Sequence, residues 1–317
     1  MKKMLGFCKY LVFVLALSAV FFGLFYLLAR PHDFDAPNTA QNKINQKKEQ
    51  QAKKKTKLNQ IKVVGLGDSL TYGVGDTSGR GGYVYLLQQK LLKHDAKKVA
   101  VSNFGKTGDT TTEIQTRLNN QTEIRQRLKN ADVITITAGG NDLMHVLQDN
   151  FQTLSSNQFS ASMKRARDNY ALHMTNLLKD VRALNDQAPI FLFSVYNPFY
   201  VYFPQVSAMQ EYTAQWNQTA KVQTKQLDSV YFVPIDQQLS QGQYYGRSKK
   251  KLLREANADL GSAADSDLEK ILSDSKEKNS YLSPADHFHP NDRGYRFMTE
   301  KLYAEMLQHK DTWFKER

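Results

Sequence analysis

The chain has 317 residues, 41% of them hydrophobic and 23% charged, which is long enough for one large globular domain with a sizeable core. Its net charge of +12 lies mostly at one end, because residues 1–60 carry +8 and the remaining 257 residues only +4. This distribution argues against a nucleic-acid-binding protein. The single cysteine, Cys8, excludes an intrachain disulfide framework and a cysteine-based metal site.

The first segment of the chain predicts a membrane anchor. Residues 10–29 are uncharged and mostly apolar, and a helix of twenty such residues can span the ~30 Å hydrocarbon core of a bilayer. Three lysines in residues 1–9 favour a cytoplasmic N-terminus, with the rest of the chain outside the cell. A cleaved signal peptide followed by secretion is the alternative, although its apolar region is usually only ~7–15 residues long.

The anchor is followed by a polar segment and then by the main domain. Residues 30–60 are rich in lysine and glutamine and hold few large apolar side chains, so we expect them to form a tether rather than a folded unit. Residues 61–317 have the composition of a globular domain. Within them, the polar and charged stretch 237–285 is irregular and is predicted to be an insertion.

From residue 61 onward, apolar runs alternate with amphipathic segments. Strands are predicted at 61–66, 98–103, 132–139, 189–196 and 230–234, and helices at 83–94, 111–128, about 160–186, 206–227 and 290–307. Short apolar strands that alternate with helices predict an α/β fold, with a parallel sheet covered on both faces. Ligands of such folds bind beyond the carboxyl ends of the strands, so the residues that follow each strand are the candidate site.

The first strand ends on the sequence GDS, residues 67–69, and raises the possibility that Ser69 is a nucleophile. A serine hydroxyl needs a base to remove its proton, and the base needs a third group to orient it. The sequence ADHFHPNDRG offers such a pair, because Asp286 and His289 are three residues apart in a loop before the last helix. His287 is a second imidazole in this loop, but its side chain and that of the adjacent Asp286 would diverge in an extended backbone.

Acyl transfer also needs hydrogen-bond donors for the negative oxygen of the tetrahedral intermediate. The backbone N–H of Ser69, the backbone N–H of Gly108 in KTGDT and the side-chain amide of Asn141 in GGND all follow strands. We therefore predict that these three donors converge on one oxyanion hole. Asp68 and Asp142 are interpreted as hydrogen-bonding scaffold.

A substrate pocket is predicted next to these donors. The aromatic-rich sequence YNPFYVYFP follows the fourth strand, and its residues Tyr196, Asn197 and Phe199 are candidates for the pocket wall. His145, four residues after Asn141, is a further candidate. Core packing is the alternative interpretation of the aromatic residues.

These blocks resemble the GDSL/SGNH hydrolase family, in particular its bacterial lipase/acylhydrolase branch. GDSL, NFGKTGDTT, GGNDLM and DHFHP occur in the family's order and span nearly all of residues 61–317. The resemblance implies a three-layer α/β/α sandwich, similar to flavodoxin, around a central parallel sheet of about five strands. It also implies a Ser-His-Asp esterase that uses no metal and no cofactor.

Carried over to this sequence, the resemblance makes Ser69 the nucleophile, His289 the base and Asp286 its orienter, with Ser69, Gly108 and Asn141 as oxyanion donors. Gly105 is an alternative to Gly108. We prefer Gly108 because it directly precedes Asp109 and a threonine. The motif differs from the G-x-S-x-G elbow of α/β-hydrolases, because Thr71 stands in place of the second glycine.

The sequence thus predicts an extracellular, membrane-tethered serine esterase with lipids, lysophospholipids or O-acylated glycans as candidate substrates. Two alternatives remain open at this point. A cell-wall-binding module could use the same fold without catalysis, since fold does not fix function. An acyltransferase would use the same residues and differ only in what intercepts the acyl-enzyme.

Overall fold

The structure is a computed structural model, and it describes residues 57–149, 157–204, 206–248, 250–254 and 277–315. Five parallel strands form one sheet in the order β2-β1-β3-β4-β5. The strands are β1 (Leu58–Gly67), β2 (Ala96–Gly105), β3 (Val133–Thr137), β4 (Ile190–Phe193) and β5 (Val230–Val233). Each of them overlaps a predicted strand, so the prediction of a parallel five-stranded sheet is confirmed.

Helices connect the strands and follow the last of them. They are α1 (Ser69–Tyr72), α2 (Gly82–His94), α3 (Thr111–Asn120), α4 (Thr122–Lys129), α5 (Gly140–Asp149), α6 (Asn157–Leu184), α7 (Ser207–Thr224), α8 (Asp236–Gln241), α9 (Asp292–Gln308) and α10 (Lys310–Trp313). A 3₁₀ turn, Gly242–Tyr244, follows α8.

The sheet is buried on both faces because its side chains alternate between two apolar cores. In β4, Ile190 and Leu192 pack into one core with helices α3 to α7, whereas Phe191 and Phe193 pack into the other with α2 and α9. This period of two is the geometry of a strand. Helices therefore cover both faces, which gives the three layers that the family resemblance implies.

The predicted helix 111–128 is two helices rather than one. Gln121 has an extended backbone with ψ of 111° and separates α3 from α4. The apolar pattern explains the break, because Leu118 and Ile124 are six residues apart and would point in different directions from one continuous helix. With the break, Ile114, Leu118, Ile124 and Leu128 all pack into the same core.

Three predicted segments fall wholly or partly outside the described residues. The membrane anchor 10–29 lies outside them, as does the tether up to residue 56, whereas residues 58–60 already belong to β1. Within the described residues, no helix is both apolar enough and long enough to cross a bilayer. Of the insertion 237–285, the structure describes residues 237–248, which include most of α8 and the 3₁₀ turn, and residues 250–254 and 277–285.

The strand order fixes where a ligand can bind. β1 pairs with β2 on one side and with β3 on the other, so the chain reverses its direction of winding next to β1. Gly67, the last residue of β1, pairs with Gly105 of β2 and with Thr137 of β3. Three strands thus end side by side, and the segments that leave them meet at the place where open α/β sheets bind ligands.

Candidate active site

Ser69 lies at the first turn of α1, immediately beyond the end of β1. Asp68 caps this helix, and its Oδ1 accepts a hydrogen bond from the Leu70 N–H at 3.0 Å. Gly67 has to be a glycine, because a Cβ there would lie 2.4 Å from the Thr137 carbonyl oxygen. The close approach of two strands at Gly67 and the cap at Asp68 therefore set the position of the serine.

A buried network of hydroxyl groups supports the carboxyl of Asp68. Thr137 Oγ1 donates to Asp68 Oδ1 at 2.7 Å, and it lies 2.8 Å from Thr71 Oγ1, which is 2.9 Å from the Tyr83 hydroxyl. Burial raises the pKa of Asp68, and the hydrogen bonds from Thr137 and Leu70 oppose that rise. These contacts are those of a hydrogen-bonding scaffold next to Ser69, the role predicted for Asp68 from the sequence.

His289 joins Ser69 to Asp286. Its Nε2 lies 2.8 Å from Ser69 Oγ, and its Nδ1 lies 2.6 Å from Asp286 Oδ2. The other carboxylate oxygen, Oδ1, accepts the backbone N–H groups of Phe288 and His289, both at 3.0 Å. The spacing of three residues thus lets one carboxylate hold both the backbone and the side chain of the histidine.

The surroundings of Asp286 keep it ionised. Partial burial by itself would raise the pKa of the carboxyl, but the hydrogen bonds from the His289 ring and from the two backbone N–H groups outweigh burial and lower it to about 2. An ionised carboxylate only accepts hydrogen bonds, so Nδ1 of His289 carries the ring proton. Nε2 is then free to accept the proton of the Ser69 hydroxyl.

The other imidazole of this loop, His287, faces a different carboxylate. It is 1% exposed and has a left-handed backbone with φ of 55°. Its Nδ1 lies 2.5 Å from Glu277 Oε2 and 3.1 Å from the Tyr202 hydroxyl, which donates to Glu277 Oε1 at 2.9 Å. His287 therefore anchors the loop, and His289 is the imidazole that reaches the serine.

The three residues considered as oxyanion donors, Asn141, Gly105 and Gly108, differ in their hydrogen bonds and in the space around them. Asn141, at the start of α5, donates one side-chain N–H to the Asp109 carbonyl at 2.8 Å. The Gly105 N–H is taken by Asn103 Oδ1 at 2.9 Å, and a Cβ at Gly105 would lie 1.9 Å from the Tyr72 nitrogen. Gly108 is exposed, has φ of 85°, and has open space where a Cβ would stand. Gly105 thus serves close packing against α1, which leaves Gly108 as the better candidate donor.

One residue of this region was not predicted from the sequence. Arg117 of α3 donates to Asp109 Oδ2 at 2.5 Å, to the Phe104 carbonyl at 3.1 Å and to the Gly67 carbonyl at 2.9 Å. The only signal for Arg117 in the sequence is that a charged residue lies next to Leu118, on the side of the helix that carries the buried residues. Asp109 itself is 2% exposed.

A mostly apolar cavity opens beside Ser69 and Asn141, between β3, β4 and helices α5 and α7. Its volume is about 40 Å³, room for roughly three water molecules. Tyr196, Asn197 and Phe199, the residues predicted to form a pocket wall, line this cavity. Its depth is formed by apolar side chains, among them Leu143, Met144, Leu147, Phe193, Val195 and Met209.

The prediction that His145 lines this pocket does not hold. Its side chain is exposed on α5 and is not part of the cavity wall. Leu143 and Leu147, one turn apart, point inward, and a residue midway between them necessarily points outward. Asp142 accepts hydrogen bonds from the backbone and side chain of Thr111, which agrees with its predicted role as scaffold.

Among the residues that the structure describes, no three histidine, cysteine, aspartate or glutamate side chains cluster as metal ligands would. The chemistry available at this edge of the sheet is that of a hydroxyl, an imidazole and a carboxylate in a hydrogen-bonded row. Such a row can activate the hydroxyl as a nucleophile.

The chain is similar in sequence to a known protein family and to two bacterial proteins. The sequence model of the GDSL-like Lipase/Acylhydrolase family matches residues 66–297. The chain is 28% identical over 245 residues to the spore germination lipase LipC of Bacillus licheniformis. This alignment covers 77% of this chain and 95% of that protein. The chain is also 27% identical over 244 residues to the Bacillus subtilis protein YpmR, in an alignment that covers 77% of this chain and 80% of that protein.

Solved structures share the fold. The crystal structure of the lipase Lip_vut3 from a goat rumen metagenome matches with a TM-score of 0.55 and 24% identity, covering 77% of this chain and 97% of that one. Axe2, an acetylxylan esterase from Geobacillus stearothermophilus, matches with a TM-score of 0.50 and 18% identity, covering 80% of this chain and 96% of that one.

With the family model covering most of the domain, the chain belongs to the GDSL-like lipase/acylhydrolase family. It is therefore a carboxylic ester hydrolase. A cell-wall-binding module without catalysis, one of the two alternatives left open by the sequence, is thereby set aside.

Proposed function

We propose that the chain hydrolyses esters through an acyl-enzyme formed on Ser69. The observation that carries this proposal is the unbroken row of hydrogen bonds from Ser69 Oγ through the His289 ring to Asp286, with distances of 2.8 and 2.6 Å. Nucleophile, base and orienter are within the range over which a proton is transferred directly.

In the first half of the reaction, His289 Nε2 takes the proton of Ser69 as Oγ attacks the ester carbonyl carbon. The ionised Asp286 stabilises the imidazolium that forms. The tetrahedral intermediate then expels the alcohol, which receives its proton from Nε2, and the acyl group remains on Oγ. In the second half, water attacks the acyl carbon, gives its proton to Nε2 and releases the acid, and Oγ regains a proton.

The negative oxygen of each intermediate is held by the backbone N–H of Ser69, the backbone N–H of Gly108 and the side chain of Asn141. Their location beyond neighbouring strand ends supports this assignment, as does the open space around Gly108. Gly105 is not assigned this role, since its N–H already donates to Asn103.

The apolar cavity beside Ser69 is proposed to hold the acyl group. Its mostly aliphatic and aromatic wall suits a hydrocarbon chain, and its volume of about 40 Å³ favours short acyl groups over the long chains of membrane lipids. Lipids, lysophospholipids and O-acylated glycans all remain candidate carriers of that group. The relative named a spore germination lipase supports a lipid ester.

The proposed location is the outer face of the cell membrane, with residues 10–29 as an uncleaved anchor and residues 30–57 as the tether, since β1 begins at Leu58. The uncharged run of twenty residues supports it. Protease added to intact cells that express the full chain should remove the enzyme domain. A domain that stays protected in intact cells, or one found only in the medium, would contradict this location.

A chain-length series tests the activity and the acyl subsite together. The full chain is assayed with p-nitrophenyl esters from acetate to palmitate, and kcat/KM should be highest for the shorter chains. Met209→Ala, which shortens a side chain of the cavity wall, should move the optimum toward longer chains. No hydrolysis of any ester would overturn the proposed mechanism, and equal rates for all chain lengths would overturn the subsite.

Product analysis with alcohol acceptors present separates hydrolysis from acyl transfer.

A further inference from the structure

The guanidinium of Arg117 contacts two of the three segments that carry a proposed oxyanion donor, those of Ser69 and Gly108. Its Nη2 donates to the carbonyl of Gly67, two residues before Ser69, and its Nη1 donates to the carbonyl of Phe104 at the end of β2. Its Nε donates to the carboxylate of Asp109. The Arg117 side chain is 12% exposed and that of Asp109 is 3% exposed, so the pair is largely shielded from water.

Asp109 extends this connection to the other two donors. It directly follows Gly108 in the chain, and its backbone carbonyl accepts the side-chain N–H of Asn141 at 2.8 Å. One guanidinium thus holds, directly or through Asp109, the backbone before Ser69, the backbone after Gly108 and the amide of Asn141. These groups follow the ends of three different strands, so they are far apart in the sequence.

We propose that Arg117 is a positioning residue that sets the geometry of the oxyanion hole. The inference rests on the proposed function, because it assigns Arg117 to donors that matter only if an oxyanion forms. Arg117 acts through the residues it holds and does not touch the substrate.

The chemistry of the contacts requires arginine rather than any cation. Each of the three acceptors is bound by a different nitrogen of the side chain, Nε, Nη1 or Nη2, and a guanidinium presents five N–H donors in a fixed fork. A lysine ammonium at the same position is a single point of charge on a flexible stem and cannot meet all three acceptors from one place. Arg117→Lys therefore keeps a positive charge beside Asp109 but cannot make the three hydrogen bonds at once.

The test compares Arg117→Lys with Arg127→Lys in the full chain, with p-nitrophenyl acetate as substrate. Arg127 is a matched control, because it lies on the next helix, α4, with its side chain 60% exposed. Arg117→Lys should lower kcat by roughly 10²-fold, the order of loss that misplacing catalytic groups by about 1 Å can cause. KM should stay within about twofold of the wild-type value, since ground-state binding does not use the oxyanion hole. The control should keep wild-type kinetics.

A double-mutant cycle separates positioning from a general structural role. Asn141→Ala should lower kcat by roughly 10²- to 10³-fold in the wild-type background. In the Arg117→Lys background the same change should cost much less, because Asn141 is already misplaced. A full, unchanged cost of Asn141→Ala in that background would overturn the proposal, and so would an Arg117→Lys variant with wild-type kcat.

Should Arg117→Lys not fold, Asp109→Asn serves in its place. It keeps the backbone carbonyl that receives Asn141 and removes the carboxylate that Arg117 binds. The same selective loss of kcat and the same reduced cost of Asn141→Ala are expected, and wild-type kcat would overturn the proposal. Failure of the proposed function itself is recognised separately, because the wild-type protein would then hydrolyse no ester.

Discussion

His287 and His289 are two residues apart, yet each ring is bound to its own carboxylate through Nδ1. His289 Nδ1 lies 2.6 Å from Asp286, and His287 Nδ1 lies 2.5 Å from Glu277. The left-handed backbone of His287, with φ of 55°, turns its ring toward the buried side of the loop. The segment 286–289 therefore holds an imidazole at the nucleophile and a second imidazole that fastens the segment to the rest of the domain.

Replacing the nucleophile tests the assignment of Ser69. Ser69→Ala should abolish both ester hydrolysis and covalent labelling by a fluorophosphonate probe, because no other hydroxyl is bound to His289 among the described residues. The thermal midpoint should change little, since only one small polar atom is removed. Labelling that persists at another serine would show that the nucleophile has been assigned to the wrong residue.

Asn141→Ala tests the oxyanion hole. The variant should lose roughly 10²- to 10³-fold in kcat, the usual cost of removing one oxyanion donor. KM should change little, because the donor acts on the charge that develops in the intermediate. Steady-state kinetics with p-nitrophenyl acetate measure both constants. His145→Ala is the matched control on the same helix, and near-normal kcat in Asn141→Ala would remove Asn141 from this role.

Asp286→Asn tests the orienter. An amide in place of the carboxylate would favour the wrong ring tautomer of His289, and kcat should fall by roughly 10⁴-fold, as for the same change in a serine protease triad.

In the wild-type protein, the pKa of about 2 keeps Asp286 ionised far below neutral pH. The acid limb of its pH–rate profile should therefore not come from this carboxyl, and a limb that disappears in Asp286→Asn would contradict this.

The same carboxyl has a signature in stability. Its pKa is lower in the folded protein than the ordinary value of 3.8, so ionisation favours the folded state. This contribution is complete above about pH 4 and is lost as the pH falls toward 2. The difference in thermal midpoint between wild type and Asp286→Asn should shrink over that interval.

Glu277→Gln tests the anchor of the loop. Oε1 of the carboxylate accepts from the Tyr202 hydroxyl and the Asn279 N–H, and Oε2 lies against His287 Nδ1, so a glutamine in either orientation puts its amide nitrogen where the carboxylate presents an acceptor. We expect a thermal midpoint several degrees lower, since leaving a buried donor unsatisfied costs about 1–3 kcal/mol. The loss in kcat should be smaller than in Asp286→Asn. A variant as stable as wild type would show that the pair does not anchor the loop.

Gly105, the last residue of β2, and Gly108, three residues beyond it, give a further contrast. Gly105→Ala puts a Cβ 1.9 Å from the Tyr72 nitrogen, so the backbone of α1 has to move and the variant should be strongly destabilised. Gly108→Ala meets open space, although its φ of 85° disfavours alanine, by roughly 1 kcal/mol. Chemical denaturation of both variants measures the difference, and equal stability would contradict the packing role of Gly105.

Much of this architecture was predictable because it depends on local patterns. Apolar runs locate all five strands, and the rule that ligands bind beyond the carboxyl ends of parallel strands brings Ser69 and Asn141 to one edge. The spacing of Asp286 and His289 also carries its own geometry, because three residues let a carboxylate bind both the ring and the backbone of the histidine.

What escaped prediction depends on contacts between segments that are distant in the chain. Arg117 is 50 residues from the Gly67 carbonyl to which it donates, and Glu277 is 10 residues from His287 across an irregular stretch. His145 was assigned to the pocket from its closeness to Asn141 in sequence, whereas the turn of α5 points it into solvent. The break at Gln121 has one local signal, the spacing of six residues between Leu118 and Ile124, although the apolar residues on either side each fit a helix.

Ser69 and His289 are separated by 220 residues of chain. During synthesis the serine leaves the ribosome long before the imidazole, and on the proposed mechanism it stays inert until the final loop docks beside it. Hydrolysis therefore reports that the C-terminal part of the domain has folded onto the N-terminal part. Refolding experiments can use the recovery of esterase activity as a marker of the last assembly step.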